Sequence, residues 1–353
     1  MAREIGKAGL RGVIIVPGPN LRYLTGVESL LMERPFMLLV PADGTPTLIA
    51  PRLEAGPYRN SPLDLRVHDW TDSQGPASAI GRAVKDLGVG GKWGVEGRVP
   101  FLFLHRLLKR ADPHLEDAEP ILQGVREVKD EAEVRTMKKA ARILSDSFRR
   151  FPALIRQGIS ESELARKVSD TIYAQGGTKV DDVLVQSGPH AADPHSLPTS
   201  RKIARGESIV IDIGATFEGY YADITRTFCL GQSREVERVY DEVRAAEEKA
   251  ISAAGVGVAV GKVDAAARRH LEKAGLGNYF IHRTGHGLGL EVHEAPYIVQ
   301  GGREVLGKNM FFTVEPGAYI PGKLGVRIED NVMIEAKRAS EITDPPKEYG
   351  WWR

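Results

Sequence analysis

Apolar and polar positions follow two textures along the chain. Up to about residue 124, short apolar runs such as GVIIV, FMLLV, TLIA and the segment WGVEG alternate with longer stretches, ASAIGRAVKDLG and FLFLHRLLKRA, whose apolar residues recur at helical spacing. Runs of four or five apolar residues suit strands covered on both faces, and the 3.6-residue repeat suits helices lying on them. The pattern predicts a small α/β domain. Around EPILQGVREVKDEAEV the texture changes: LQG reads as a boundary, and a long charged amphipathic pattern starts near Asp130. We therefore place a junction near Gly124, dividing the chain into residues 1–124 and 125–353.

The second part repeats itself in outline. Helical patterns at about 131–156 and 160–175 lead to a strand pair, SIVIDIGAT and GYYADITRTFCL, and Ser160 with Glu163 predicts a capping box before the second helix. Helical patterns at about 233–254 and 262–274 then lead, through HRTGHGLGLEVHEAP, to a second pair, MFFTVEPGAYI and LGVRIEDNVMIE. Two copies of helix, helix, hairpin predict a pseudo-symmetric α+β domain with strands of both halves in one sheet.

Composition narrows the class of partner. A chain of 353 residues fits two domains, and its 48 Lys+Arg against 47 Asp+Glu leave no basic field to draw it onto nucleic acid or an anionic membrane. Small molecules are the expected partners. The lone Cys229 cannot form an intramolecular disulfide and reads as a buried apolar residue, which suits a reducing compartment. The apolar run before Pro17 is too short for a signal-peptide core or a membrane span, so a cytoplasmic location is expected.

Acids inside the second part's strands carry the chemistry. Asp212 interrupts the apolar run IVIDIG, where an ionised group is costly unless it is paired or bound to a cation. A tight turn at Phe217-Glu218 would set it directly opposite Asp223, with Cβ atoms roughly 4.5 to 5.5 Å apart. A turn centred on Gly322 sets Glu315 opposite Glu329, with Pro316 as a source of a bulge. Opposed carboxylates repel unless cations lie between them. Two such pairs with one histidine, His286 from the glycine-rich stretch, would suit two divalent metals roughly 3.5 to 4 Å apart. Oxygen-dominated ligation favours Mn²⁺ or Co²⁺ ahead of Zn²⁺.

The runs IDIGATFEGYYADITRTF, GHGLGLEVHE, VEPGAYI and GVRIEDN resemble the metal-binding motifs of the pita-bread metallopeptidases, a family that includes Xaa-Pro dipeptidases (prolidases), aminopeptidases P, methionine aminopeptidases and creatinase. The resemblance covers nearly the whole chain, because the first domain with PNLRYLTG is similar to the creatinase-like N-terminal domain of the prolidase and aminopeptidase P branch. It implies that Asp212, Asp223, His286, Glu315 and Glu329 are ligands of two metal ions per subunit, with Asp223 and Glu329 bridging. It also implies that His195, in the step Pro194-His195, and His293 face the substrate, and that the enzyme is a homodimer. Thr225 reads either as an orienter of a ligand or as a plain strand-face threonine. His282 and His190 are read as structural.

The expected mechanism follows from this set. A water between the two ions loses its proton near neutral pH and attacks the scissile carbonyl, Glu315 handles the proton, and His195 and His293 stabilise the developing oxyanion. The preference for proline enters through the resemblance. Xaa-Pro dipeptidase is the first reading and Xaa-Pro aminopeptidase, acting on longer peptides, the second. A non-catalytic binding module and a creatinase-type hydrolase are set behind them, because all five ligand positions hold competent residues. One position departs from the pattern: Tyr297 stands where many prolidases carry a carboxylate-binding arginine. Arg283, three residues before His286, is expected to take that carboxylate together with Tyr297.

Overall fold

The structure is a computed structural model that describes residues 1–61 and 63–352. It divides into two compact units, Met1–Arg126 and Glu127–Arg353. A helix spanning Glu119–Arg126 runs through Gly124, so the LQG segment is helical rather than a break.

The first unit is built on a six-stranded sheet. Its strands are β1 (Gly12–Ile15), β2 (Met37–Pro41), β3 (Thr47–Pro51), β4 (Arg66–Trp70), β5 (Gly91–Val95) and β6 (Pro113–Asp117), in the order β4-β3-β2-β1-β5-β6. β2 lies antiparallel to both β1 and β3, and the remaining pairs are parallel. Successive residues of the apolar runs face opposite cores: Val13 and Ile15 join one cluster, and Ile14 and Val16 the other. Helices α1 (Ala2–Lys7), α2 (Pro19–Thr25), α3 (Ala77–Leu87), α4 (Phe101–Leu108) and α5 (Glu119–Arg126) complete the unit, the α/β arrangement expected from its texture.

The second unit carries the two helix-pair and hairpin repeats. Its helices are α6 (Glu131–Phe148), α7 (Glu161–Ala174), α8 (Arg234–Ala253) and α9 (Val260–Lys273). α6 ends at Phe148, short of the expected 156, because Pro152 follows and a separate 3₁₀ turn takes over at Phe151–Leu154. The capping box lies at the start of α6, between Asp130 and Glu133. At α7 only half of the expected box forms: Ser160 caps the Glu163 N–H, while the Glu163 carboxylate turns to Arg156.

Among the described residues, ten strands form three hydrogen-bonded groups. β7 (Lys179–Ser187), β8 (Ser208–Phe217) and β9 (Tyr220–Cys229) make an antiparallel sheet. β10 (Gly285–Gly287), β11 (Glu294–Ile298), β12 (Phe311–Val314), β13 (Gly317–Ile320), β14 (Leu324–Arg327), β15 (Asp330–Ile334) and β16 (Ala339–Glu341) form a five-stranded sheet, β11-β10-β12-β15-β16, and the β13-β14 pair. The halves meet at a bridge between Thr225 and Glu329 rather than in one continuous sheet, since Pro316 interrupts the ladder beside it. Two large cores lie beneath the helix pairs, and the terminal Tyr349, Trp351 and Trp352 pack against them.

Candidate metal centre

The first hairpin turns at Glu218-Gly219, both in the left-handed region at φ 49° and 82°. Phe217 therefore pairs with Tyr220, Asp212 with Thr225, and Gly214 with Asp223. This corrects the expected register: Asp212 and Asp223 are diagonal rather than directly opposed. The shift is two residues, so both side chains still share one face. Gly214, across from Asp223, puts no side chain beside either acid.

The second hairpin keeps the register centred on Gly322. Gly317 pairs with Arg327 and Val314 with Asp330, so Glu315 stands across from Glu329 at the break that Pro316 makes in the ladder. The Thr225 carbonyl accepts from the Glu329 N–H at 3.0 Å, and the Thr225 hydroxyl donates to Glu329 Oε2 at 2.7 Å. Asn331 brackets the Asp223 peptide, accepting from its N–H and donating to its carbonyl. Each half thus orients an acid of the other.

His286 arrives on β10, a strand pressed between β11 and β12. The close approach explains its glycines: a Cβ on Gly285 would lie 1.9 Å from the Thr313 carbonyl oxygen, and one on Gly287 2.1 Å from that of Ala295. His286 Nδ1 donates to the Gly287 carbonyl at 3.1 Å, which leaves the Nε2 lone pair facing the acids, 3.4 Å from Glu315 Oε1. The His293 ring stands nearly perpendicular to that of His286, 4.2 Å away.

These side chains line one pocket of about 620 Å³, together with His195, His282, Arg283, Arg327, Asp181 and an apolar wall that includes Leu184, Leu197 and Val292. Its electrostatics are dominated by buried acid. Burial, then Asp212 and Glu315, pushes the Asp223 carboxyl far above its usual range; burial, then Asp223, does the same to Glu329. Burial also raises Glu315, to about 8, against the pull of Arg327. Burial and the neighbouring His293 hold His286 well below its ordinary value, as a neutral donor. Asp223 Oδ1 and Glu329 Oε1 are buried without a hydrogen-bond partner among the described residues, and Asp223, His286 and Glu329 offer atoms that all lie within 4.8 Å of one another. Acceptor-only oxygens converging with a neutral imidazole nitrogen fit divalent cations.

Arg327 was not singled out from the sequence, although it lies two residues before Glu329 and alternates onto the same face. Its guanidinium pairs with Asp212, donates to the Tyr319 hydroxyl at 2.7 Å and to Thr225 Oγ1 at 3.2 Å. The signal was present: a cation interrupting an apolar strand, the mirror of Asp212 in IVIDIG. Tyr319 in turn donates to His282 Nε2 at 2.8 Å, and His282 Nδ1 donates to the Arg283 carbonyl at 2.7 Å. His282 thus supports the glycine-rich turn while lining the pocket. His190, read as structural, meets the buried Glu161 at 2.9 Å; Glu161 also accepts from Ser187 and Thr199, anchoring both ends of the loop that carries His195. Arg283 lies 4.6 Å from the Tyr297 ring centroid, stacked on the ring face rather than beside the hydroxyl.

Comparison with known proteins places the chain in a family. The sequence model of metallopeptidase family M24 matches residues 135–336, and that of the Creatinase/Prolidase N-terminal domain matches residues 2–128. The chain is similar to the probable dipeptidase PepE of Mycobacterium tuberculosis, with 38% identity over 98% of this chain and 93% of that one. Among solved structures it resembles the prolidase of Thermococcus sibiricus, with 38% identity and a TM-score of 0.92, covering 99% of this chain and 96% of that one. It also resembles the X-Pro aminopeptidase of Thermotoga maritima, with 31% identity and a TM-score of 0.83, covering 98% and 99%.

Proposed function

Because the chain belongs to metallopeptidase family M24, we propose that it hydrolyses the peptide bond before proline, foremost in Xaa-Pro dipeptides, with two divalent cations held by Asp212, Asp223, His286, Glu315 and Glu329. The observation that carries this reading is the convergence of four carboxylates and a neutral histidine on one pocket, with two buried oxygens left bare. When bound, the cations would polarise the scissile carbonyl and lower the pKa of a water molecule between them. The chain's own groups do the rest. Asp223 and Glu329, oriented by Asn331 and Thr225, would hold the cations with their buried oxygens. Glu315, in the same acid set, takes a proton and returns it towards the leaving nitrogen. His195 and His293 donate to the carbonyl oxygen as charge develops on it. Arg283, propped on Tyr297, takes the dipeptide's terminal carboxylate. The oxygen-rich ligand set favours Mn²⁺ or Co²⁺ over Zn²⁺.

A second reading, Xaa-Pro aminopeptidase, draws support from the likeness to the Thermotoga maritima enzyme. The two are separated by treating the protein with chelator, reloading it with Mn²⁺, and comparing kcat/KM for Met-Pro and Met-Pro-Gly-Gly. A dipeptidase prefers Met-Pro; stronger cleavage of the tetrapeptide moves the assignment to an aminopeptidase, and cleavage of neither refutes both.

A further inference from the structure

One carboxylate in the pocket wall has no part in the metal set. Asp181 pairs with Gly214 and Leu184 with Asp212, so residues 182 and 183 together stand opposite Ile213 alone. In an unbroken strand, residues three apart point to opposite faces. The bulge turns both Asp181 and Leu184 into the pocket. Asp181 is held there by the Tyr221 hydroxyl, which donates to Oδ2, and by Lys179 Nζ at 2.9 Å.

The position of Asp181 relative to the metal acids gives it a use. Asp181, Gly214 and Asp223 lie in one row across three adjacent strands. Two strand spacings, about 10 Å, separate the two acids. Gly214 puts no side chain between them, and the nearest atom above it is Val292 Cγ2, 3.5 Å from where a Cβ would stand. From the metal acids outward the pocket therefore offers a strip without a side chain at Gly214, apolar flanks in Leu184, Val292 and Leu197, and then a carboxylate. This sequence of surfaces matches a side chain with a methylene stem and a cationic head.

Building on the peptidase reading above, we propose that Asp181 selects lysine or arginine as the residue preceding the scissile bond. Lys179, whose side chain is 60% exposed against 27% for Asp181, is the resident counter-ion that the substrate's cation displaces. The amino-acid stem lies along Leu184 and Val292, and its head exchanges for the Lys179 ammonium.

The test compares Lys-Pro with norleucine-Pro, which has the same stem and no charge, on Mn²⁺-loaded wild type, Asp181→Asn and Lys179→Met. Binding of free L-lysine and L-norleucine to the same three proteins is measured by calorimetry. The lysine-to-norleucine ratio, in kcat/KM and in affinity, should fall about fivefold in Asp181→Asn, the size of one partly exposed ion pair, and rise in Lys179→Met. Equal losses on both ligands in Asp181→Asn would mark a structural role through Tyr221 and overturn the proposal, as would a ratio unchanged in both variants. Failure to cleave any Xaa-Pro dipeptide would refute the peptidase reading, while the lysine-to-norleucine affinity ratio would still decide the role of Asp181.

Discussion

Two acid clusters, one buried and one reaching the surface at Glu341, meet at consecutive residues, Glu329 and Asp330, and they are resolved in opposite ways. Glu247, Asp330 and Glu341 offer atoms within 4.8 Å of one another, as Asp223, His286 and Glu329 do. In the Asp330 cluster, Lys347 Nζ reaches all three carboxylates, at 2.7, 2.8 and 2.7 Å, and Arg226 forks onto Asp330 at 2.9 and 3.0 Å. Burial raises the Asp330 carboxyl, but Arg226 and Lys347 outweigh it and hold the group below its usual range. Glu247 still keeps one bare oxygen, and burial with Asp330 pushes its carboxyl up. In the Glu329 cluster, among the described residues, four carboxylates face one guanidinium paired to an acid, that of Arg327 on Asp212, while Arg283 also lines the pocket. Proximity of acids therefore does not define a metal site; what matters is whether the chain supplies the balancing cations itself.

The two clusters are also joined mechanically. Arg226 donates to the carbonyls of Glu329 and Thr225 at 2.7 and 3.0 Å, and to those of Pro345 and Pro346. The self-neutralised cluster thus fixes the backbone from which the other projects. Its cost in burying charge is offset by many hydrogen bonds, the condition under which a buried ion cluster is tolerated.

Removing the internal cation should break the contrast most severely. Lys347→Met leaves three acids facing one another and is expected to destabilise the protein by about 3–5 kcal/mol in denaturant unfolding. Millimolar Mg²⁺ or Ca²⁺ should recover part of that loss, because the cluster then wants a cation as its neighbour does; no loss on mutation would show that Lys347 is incidental. Next in size, Asp223→Asn and Glu329→Gln should lower kcat/KM more than about a hundredfold, exceeding the effect of losing an outer-shell partner, with circular dichroism preserved. Near-wild-type activity in either would remove that acid from the ligand set.

A further cation, Arg283, is assigned to the substrate. Arg283→Ala should raise KM for an Xaa-Pro dipeptide about tenfold or more while changing its C-terminal amide little, since only the free carboxylate gains a charge-assisted bond. Equal losses on both substrates would contradict the assignment. The smallest effect is expected from Thr225→Val, which takes away the hydroxyl that orients Glu329. Metal affinity should fall about tenfold with kcat at saturating Mn²⁺ nearly kept, and unchanged affinity would return Thr225 to a plain strand position.

What the sequence disclosed follows from how local each signal is. Acids that interrupt apolar strands, and glycines crowded around a histidine, are visible one residue at a time, so Asp212, Asp223, Glu315, Glu329 and His286 could be named together. Register depends on which residues turn. Gly322 marks its turn plainly, whereas in the first hairpin Glu218-Gly219, not Phe217-Glu218, takes the two left-handed positions. The bulge that brings Asp181 and Leu184 to one face carries no glycine or proline to announce it. Lys347 was silent because its partners are 100, 17 and 6 residues away, at Glu247, Asp330 and Glu341, and only the folded chain collects them. Arg327 is the instructive omission, since the argument that raised Asp212 applied equally to it.

The central claim is that the bare oxygens of the Glu329 cluster await two external cations while the Asp330 cluster awaits none. Calorimetric titration of Mn²⁺ into chelator-treated protein tests it most directly, with elemental analysis of the desalted complex fixing the count. Two ions per chain in the wild type, and fewer than two in Glu329→Gln, are the predicted results. Two ions still bound by Glu329→Gln, or none bound by a wild-type protein that hydrolyses peptides at full rate, would contradict it.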